Sequence, residues 1–402
     1  NRLIGEARPG DPPTLATKYL AGKLIALPKP GGAGFRPITV LHHINQMWEG
    51  VIRDRVERWA TTSGCLHPTQ HGFRRGHCTS TAIASVLTTM STWKSGVACF
   101  IDFKGAYNSV DRSALLAKLA RLGCPDGLVR MVAGTLQARQ LKYGRSQVRV
   151  AVGLPQGSTI SPILFAVYVS DLPHMPDTIT ESFADDIATL APSWGSMRAY
   201  VAEFERWREA NGLTMGFKAP TEVEVRGWTD AEGQPVRLRM TGKTALLPFG
   251  TARDDQPGIP ILMGGEPVPV VDAYKYLGLH IQHNGRFDLH RQVVLRNAVG
   301  ALFEAATCLD PAGSPLPLPT RLQIILQKAR ARLMAGAIFA WPIDGLLEAD
   351  RRLASILMAV VSDRHLAPGT MSAAHPATRP QSATPPPPTQ EVPDDRAGAP
   401  PN

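Results

Sequence analysis

The chain runs to 402 residues, too many for one hydrophobic core, and its 44% hydrophobic content excludes disorder throughout. No apolar run approaches the roughly 18 residues of a membrane span, the longest being Ile163 to Val169. Forty-three basic against 34 acidic residues leave a net charge of +9, which suits a polyanionic partner, nucleic acid above all. The five cysteines, Cys65, Cys78, Cys99, Cys124 and Cys308, form no C-x-x-C pair, so neither a disulfide framework nor a zinc ribbon is expected, and a reducing, intracellular setting is. The first residue is Asn1 and no signal peptide is present, which reads as a piece of a longer protein.

In chain order, Leu24 to Pro28 is a short apolar run that reads as a strand, and Val40 to Trp59 and Thr79 to Trp93 have helical spacing. Val97 to Asp102 is a second strand. Arg112 to Leu122 reads as an amphipathic helix with Asp111 as its N-cap, and Ser161 to Leu172 as another with Pro162 in its first turn. Phe183 to Leu190 reads as a hairpin around two aspartates, and Met197 to Asn211 as a helix stopped by Gly212. Trp228 to Pro269, rich in Gly and Pro, looks like an insertion or an irregular hairpin. Leu289 to Thr307, Arg321 to Phe339 and Leu346 to Val361 are long helical patterns. Residues 366 to 402 hold ten of the 35 prolines and almost no large apolar side chains, the composition of a disordered tail.

The carboxylates in apolar surroundings carry the chemistry. Asp102 ends the run Ala98-Cys99-Phe100-Ile101, and Asp185-Asp186 follow Phe183-Ala184. A carboxylate at a buried strand is costly unless it is paired or holds a cation. Set side by side, the two strands bring three carboxylates together, a donor set for hard divalent ions, magnesium first and manganese as an alternative. Two such ions serve in-line displacement at phosphorus.

Five blocks in order turn these residues into a pattern. They are Leu27-Pro28-Lys29-Pro30 with Phe35-Arg36-Pro37-Ile38; Gln70-His71-Gly72-Phe73-Arg74; Phe100-Ile101-Asp102-Phe103-Lys104-Gly105-Ala106-Tyr107; Gly153-Leu154-Pro155-Gln156-Gly157-Ser158 with Ser161-Pro162; and Phe183-Ala184-Asp185-Asp186. A weaker sixth is Tyr276-Leu277-Gly278. The ordered set resembles the reverse transcriptase domain of non-LTR (LINE-type) retrotransposons. The resemblance implies an α+β right hand: fingers mainly from 1–96, an antiparallel-sheet palm over 97–285 with the insertion near 228–269, a helical thumb over 286–365, and the tail beyond. It further implies an RNA template, a DNA primer and deoxynucleoside triphosphates as partners, and nuclear or cytoplasmic action without a membrane.

Carried over residue by residue, Asp102 and the Phe103 carbonyl would bind metal together with Asp185, with Asp186 beside them. Tyr107 matches the steric gate that leaves no room for a 2′-hydroxyl. Gln156 and Gly157 would lie against the incoming nucleotide and the template base, and Lys29 and Arg36 would hold its triphosphate across the Gly31-Gly32-Ala33-Gly34 loop. Tyr276, Leu277 and Gly278 would contact the primer. One stretch departs from the family, which reads Gly-Leu, two residues, Asn, then a Lys-Thr pair. Gly212-Leu213-Thr214-Met215-Gly216-Phe217-Lys218-Ala219-Pro220-Thr221 lacks the Asn and shifts the lysine, leaving Lys218 as the candidate proton donor to pyrophosphate.

Two clusters are set aside or left open by the sequence. Cys65, His67, His71, His77 and Cys78 match no common zinc spacing. Arg321, Lys328 and Arg332 fall on one helical face, suited either to duplex phosphates or to plain solvation. The competing readings are an RNA-dependent RNA polymerase on the same palm, against which Tyr107 argues, and a decayed domain that binds nucleic acid without catalysis, against which the intact aspartates argue.

Overall fold

The computed structural model describes residues 21–29, 34–137, 139–230, 232–308, 316–340 and 343–366. The loop at 30–33 and the Pro-rich tail from 367 lie outside the described residues. By its internal contacts the chain forms two units, residues 1–353 and 354–402; the described part of the second is the end of the last helix.

The first unit opens with strands β1 (Gly22–Pro28) and β2 (Phe35–Leu41), an antiparallel hairpin, followed by helices α1 (His43–Thr62) and α2 (Thr79–Trp93). Strand β3 (Gly96–Ile101) leads to the short α3 (Ala106–Ser109), then α4 (Arg112–Arg121) and α5 (Asp126–Thr135). The Asp111 side chain accepts from the Ala114 backbone N–H at 2.8 Å, which makes it the expected N-cap. A hairpin, β4 (Arg139–Tyr143) and β5 (Ser146–Val150), precedes α6 (Ser161–Tyr168). Strands β6 (Ile179–Phe183) and β7 (Asp186–Ala191) form the second hairpin, and α7 (Trp194–Ala210) comes next.

Strand β3 pairs antiparallel with β7, β7 with β6, and on its other side β3 pairs antiparallel with β10 (Ala245–Phe249), giving the order β10-β3-β7-β6. This is the antiparallel palm. Its central strand reads as a continuous apolar run because both faces are covered. Val97, Cys99 and Ile101 face a core that includes Phe165, Tyr200 and Phe204 from α6 and α7. Ala98 and Phe100 face the other way, toward Val86 of α2 and toward Tyr274 and Tyr276.

Strand β10 falls inside the stretch expected as an insertion or irregular hairpin: β8 (Thr221–Thr229) and β9 (Pro235–Thr241) form a hairpin, and residues 245–249 then return to the palm. The hairpin joins β13 (Ala273–Tyr276) and β14 (Leu279–Gln282) in the order β14-β13-β9-β8, and β11 (Leu262–Met263) and β12 (Glu266–Pro267) make a small separate ribbon. A further sheet, holding the hairpin expected in the fingers, runs β2-β1-β4-β5. Among the described residues four helices follow: α8 (Asp288–Cys308), α9 (Leu318–Leu333), the short α10 (Ala337–Ala340) and α11 (Ile343–Leu366). None of the described helices is long and apolar enough to cross a membrane.

Candidate active site

Asp102 is the first residue past β3, and Asp185-Asp186 lie where β6 turns into β7. The register sets Ile101 opposite Ile187, so one step on Asp102 falls beside Asp186 across the strand pair. Paired positions in an antiparallel ladder stand about 5 Å apart, close enough for the carboxylates to act as one group. The β6–β7 turn has two residues, because Phe183 pairs with Asp186. Ala184 takes φ 59°, a left-handed conformation that costs an alanine about 1 kcal/mol and aims Asp185 out of the ladder.

Electrostatics confirm the crowding. Burial raises the carboxyls of Asp102 and Asp185 above the ordinary aspartate range, with Lys243 opposing in both. Asp186 is pushed up to about 7, by burial first, then by Asp185 and Asp102. A site that penalises its own charges in this way favours a cation.

The cation already in place is Lys243. Its ammonium lies 2.6 Å from Oδ2 and 2.8 Å from Oδ1 of Asp102. Thr244, the next residue, accepts from the Asp102 backbone N–H at 3.1 Å. The Gly216 N–H donates to the Asp102 carbonyl at 2.8 Å, and a Cβ on Gly216 would come within 2.3 Å of Oδ2. Gly216 stands where the family has its Asn, and a larger residue there would force the Asp102 carboxylate to move. Lys218, in contrast, is exposed, and its carbonyl accepts from the Thr241 side chain. A Lys-Thr pair of the kind the family pattern has, Lys243-Thr244, stands here immediately before the palm strand β10. The β8–β9 hairpin separates it from Gly212-Leu213. Sequence reading missed it because the spacing was broken; the available signal was a Lys-Thr followed at once by the apolar run Ala245-Leu246-Leu247-Pro248-Phe249.

Carboxylates on neighbouring strand ends, penalised by burial, are the kind of hard oxygen donors that a divalent metal takes. Asp102 is engaged by Lys243 as placed, and among the described residues no three His, Cys, Asp or Glu side chains converge on one point. A metal would displace the ammonium from Asp102.

Around this centre the remaining candidates are distributed unevenly. Tyr107 stacks on Phe165 with ring centroids 4.9 Å apart, and burial together with the Asp185 charge raises its phenol. Its carbonyl accepts from Leu154 N–H at 2.7 Å, while a Cβ on Gly153 would strike the Tyr107 and Asn108 backbones at 2.8–2.9 Å. The Gly153–Gly157 segment is thus laid directly over α3. Gln156 is gripped from β2, whose Thr39 N–H donates to its carbonyl at 2.6 Å, and Gly157, at φ 107°, passes so close that a Cβ would lie 2.3 Å from the Thr39 carbonyl. Arg36 and Lys29 are exposed on the same hairpin and near enough to stabilise the Asp185 and Asp102 charges respectively. Phe103 is buried, and its backbone forms an isolated antiparallel bridge with Met215. Tyr276 packs in the core beside Phe100, whereas Leu277, at φ 46°, and the exposed Gly278 make the β13–β14 turn.

Two supports escaped sequence reading. Glu49 of α1, fully buried, accepts from Ser158 Oγ at 2.6 Å, from Thr159 N–H at 3.1 Å and from Asn45 Nδ2 at 3.2 Å. It ties the first long helix to the segment after Gly157. The Gln70-His71-Gly72 stretch pairs with β6: His71 N–H donates to Ser182 O at 2.7 Å, and Ser182 N–H to Thr69 O at 3.0 Å. A Cβ on Gly72 would sit 2.3 Å from the Ala184 nitrogen, so this loop braces the aspartate turn from behind. His71 also meets Glu181 at 2.7 Å, Nε2 to Oε2, which gives that histidine a packing role.

The family model described as "Reverse transcriptase (RNA-dependent DNA polymerase)" matches residues 27–281, well over half the chain. The chain belongs to this family. Among relatives, the "RNA-directed DNA polymerase from mobile element jockey" of Drosophila melanogaster is 27% identical over 279 residues, 64% of this chain and 28% of that protein. The "Probable RNA-directed DNA polymerase from transposon BS" of the same species is 30% identical over 184 residues, 41% of this chain and 20% of the relative. The "Putative 115 kDa protein in type-1 retrotransposable element R1DM" is 27% identical over 283 residues, 69% and 26%. The chain therefore spans under a third of the length of these relatives. The non-LTR resemblance read from the motifs is borne out by them.

Proposed function

We infer that this domain is an RNA-directed DNA polymerase that adds deoxynucleotides to a primer 3′-hydroxyl on an RNA template, as the names of its relatives suggest. The observation that carries the reading is the meeting of Asp102 with Asp185 and Asp186 at neighbouring ends of antiparallel palm strands, within the matched family span.

Asp102, Asp185 and the Phe103 carbonyl would hold two magnesium ions, with Asp186 as the adjoining carboxylate. When bound, such ions lower the pKa of the attacking hydroxyl and neutralise charge on the triphosphate. The protein's own groups do the rest. Arg36 and Lys29 approach from the fingers hairpin to hold phosphates, a planar guanidinium and a point charge in complementary roles. Gln156 and Gly157 face the nascent base pair, and the Tyr107 ring, fixed flat on Phe165, fills the space a 2′-hydroxyl would need. Lys243 is the proton donor to departing pyrophosphate in this reading, taking the role first assigned to Lys218; it reaches the metal carboxylate directly and carries protons it can give. The Leu277-Gly278 turn is the primer contact.

Primer extension on an RNA template with magnesium and deoxynucleotides tests the reading, run beside Asp185→Ala/Asp186→Ala. Extension by the parent alone supports it. A folded parent that retains RNA yet never lengthens a primer would refute it and favour a binding module.

A further inference from the structure

The β8–β9 hairpin is an element that the catalytic site leaves without a role. Its side chains alternate: Val223, Val225, Val236 and Leu238 are buried or half-buried on one face, while Glu222, Glu224, Arg237 and Arg239 are exposed on the other. On the exposed face Glu222 pairs with Arg239 and Glu224 with Arg237. Opposite charges across a ladder satisfy each other, and the face left to make contact is the apolar one. Helix α8 covers it. Leu289, fully buried, packs with Val225, Leu238 and Ala273, and Val293, one helical turn on, and Trp228 pack against them. Just ahead of the helix, the Arg286 guanidinium lies 5.0 Å from the centroid of the Trp228 ring.

A polar contact on the sheet edge completes the joint. Strand β8 is outermost in the order β14-β13-β9-β8, so the backbone groups on its free side need partners. Gln292 of α8 supplies two: its Oε1 accepts from the Arg226 N–H at 2.9 Å, and its Nε2 donates to the Glu224 carbonyl at 3.0 Å. In a parallel ladder one residue of an added strand makes this same pair of bonds, to the C=O of one residue and the N–H two further on. A single side chain therefore joins α8 to the sheet as a strand would, because an amide carries the required donor and acceptor side by side. From β14 the helix is held at its first turn, by Leu289 N–H to Gln282 Oε1 at 2.9 Å and by His280 N–H to His290 Nδ1 at 3.3 Å. A helix pinned at one end is free to swing; the hairpin adds a second line of contact and removes that freedom.

We propose that the β8–β9 hairpin is a strut that fixes the direction of α8, with Gln292 as its positioning residue, and that the strut sets how long a primer–template duplex stays bound. The proposal rests on the polymerase reading above, with α8 as the first thumb helix beside that duplex. A swinging helix has to be ordered each time the protein closes on the duplex, whereas a fixed one is already in place. Such preorganisation slows release and leaves the chemistry at the aspartates untouched.

The test compares the whole parent chain with Gln292→Glu and Gln292→Met on a DNA primer annealed to RNA. Gln292→Glu keeps the shape and the acceptor but loses the donor; Gln292→Met keeps the volume and loses both. Glu and Met are good helix formers, so α8 itself is preserved. One hydrogen bond contributes about a fivefold factor to an equilibrium, so release of the labelled hybrid into excess competitor should quicken about fivefold in Gln292→Glu and up to about 25-fold in Gln292→Met. Nucleotides added per binding event should fall in the same order. Single-turnover addition from the preformed complex should stay within about twofold of the parent. A generally loosened fold would not give that split, since it lowers the active fraction and leaves release from the remaining molecules unchanged. Trp228→Leu, on the hairpin side of the joint, should also speed release. Parental release rates in both Gln292 variants overturn the proposal and leave the polymerase reading standing. Faster release with an equal loss of single-turnover addition also overturns it, since α8 then acts at the catalytic centre. If the parent never extends a primer, the polymerase reading falls, and release of the hybrid still decides whether the strut governs its hold; a parent that does not retain the hybrid overturns both.

Discussion

Lys243 offers the sharpest perturbation, because two lysines compete for one role and only one of them touches Asp102. Lys243→Met removes the ammonium that lies 2.6 Å from Oδ2. The pair is partly exposed, 43% at the lysine and 17% at the aspartate, so its loss should cost stability no more than about 1 kcal/mol. A general acid is worth about 10²–10⁴-fold in rate, or ~3–5 kcal/mol of barrier. Rate and stability should therefore separate: single-turnover nucleotide addition falls at least about 100-fold while the melting temperature shifts by a few degrees. Lys243→Arg keeps the charge and the reach but not a transferable proton, so it should restore nucleotide affinity and leave the chemical step slow. Lys218→Met should stay within about twofold of the parent, as expected of an exposed side chain outside the site. The assay is rapid-quench addition of one deoxynucleotide under saturating magnesium. Full chemistry in Lys243→Arg would refute proton donation and leave only an electrostatic role; near-parental rates in Lys243→Met with a slow Lys218→Met would reverse the assignment.

Tyr107→Ala should relax discrimination against ribonucleotides by opening space beside Phe165, read as the ratio of kcat/KM for the two sugars; an unchanged ratio would remove Tyr107 from the gate. Gly72→Ala forces a Cβ to 2.3 Å from the Ala184 nitrogen, so the aspartate turn must shift, and activity should fall at least about tenfold, with a stability loss of about 1–3 kcal/mol in thermal unfolding. Glu49→Ala leaves the Ser158 hydroxyl and the Thr159 N–H without their buried acceptor; a loss of about 2–4 kcal/mol and a raised nucleotide KM are expected, and Glu49→Gln should recover only part of either. His280, buried against His290, has its imidazole pushed down to about 4, chiefly by burial. The unfolded histidine therefore takes up protons first as pH falls below 6.5, and the fold should lose about 2 kcal/mol through this group by pH 5. Urea unfolding at pH 7 and pH 5 should show that pH dependence shrinking in His280→Asn.

The parts legible in the sequence were those governed by local pattern. Thr79–Trp93 came out at the bounds its spacing gave, and the β6–β7 hairpin sits where apolar runs flank the aspartates. Asp111 caps its helix because an aspartate ahead of an amphipathic run has few better uses. Helix α6 stops at Tyr168, four residues short of the apolar pattern, since the pattern continued into a turn whose backbone bonds are i to i+3. The palm itself was readable from Asp102 and Asp185-Asp186, because buried carboxylates at strand ends need a shared cation.

The contacts that stayed hidden were those between distant segments. Gly72 carries no local sign that it abuts Ala184, nor Gly216 that it abuts Asp102; each glycine records a close approach whose partner lies 112 or 114 positions away in the chain. Glu49 carries no local sign of its role, yet a fully buried carboxylate must be satisfied, and it accepts from Ser158, Thr159 and Asn45. The lysine shows the same limit in another form. Motif spacing presumes that nothing intervenes, but a hairpin whose ends lie close together can be inserted without moving the residues on either side of it. Met240 pairs with Thr221 across the two ends of the β8–β9 ladder, so the chain leaves the hairpin beside the place where it entered. The 21 residues from Thr221 to Thr241 therefore cost the site almost no spatial displacement, and Lys243 lies at Asp102 all the same.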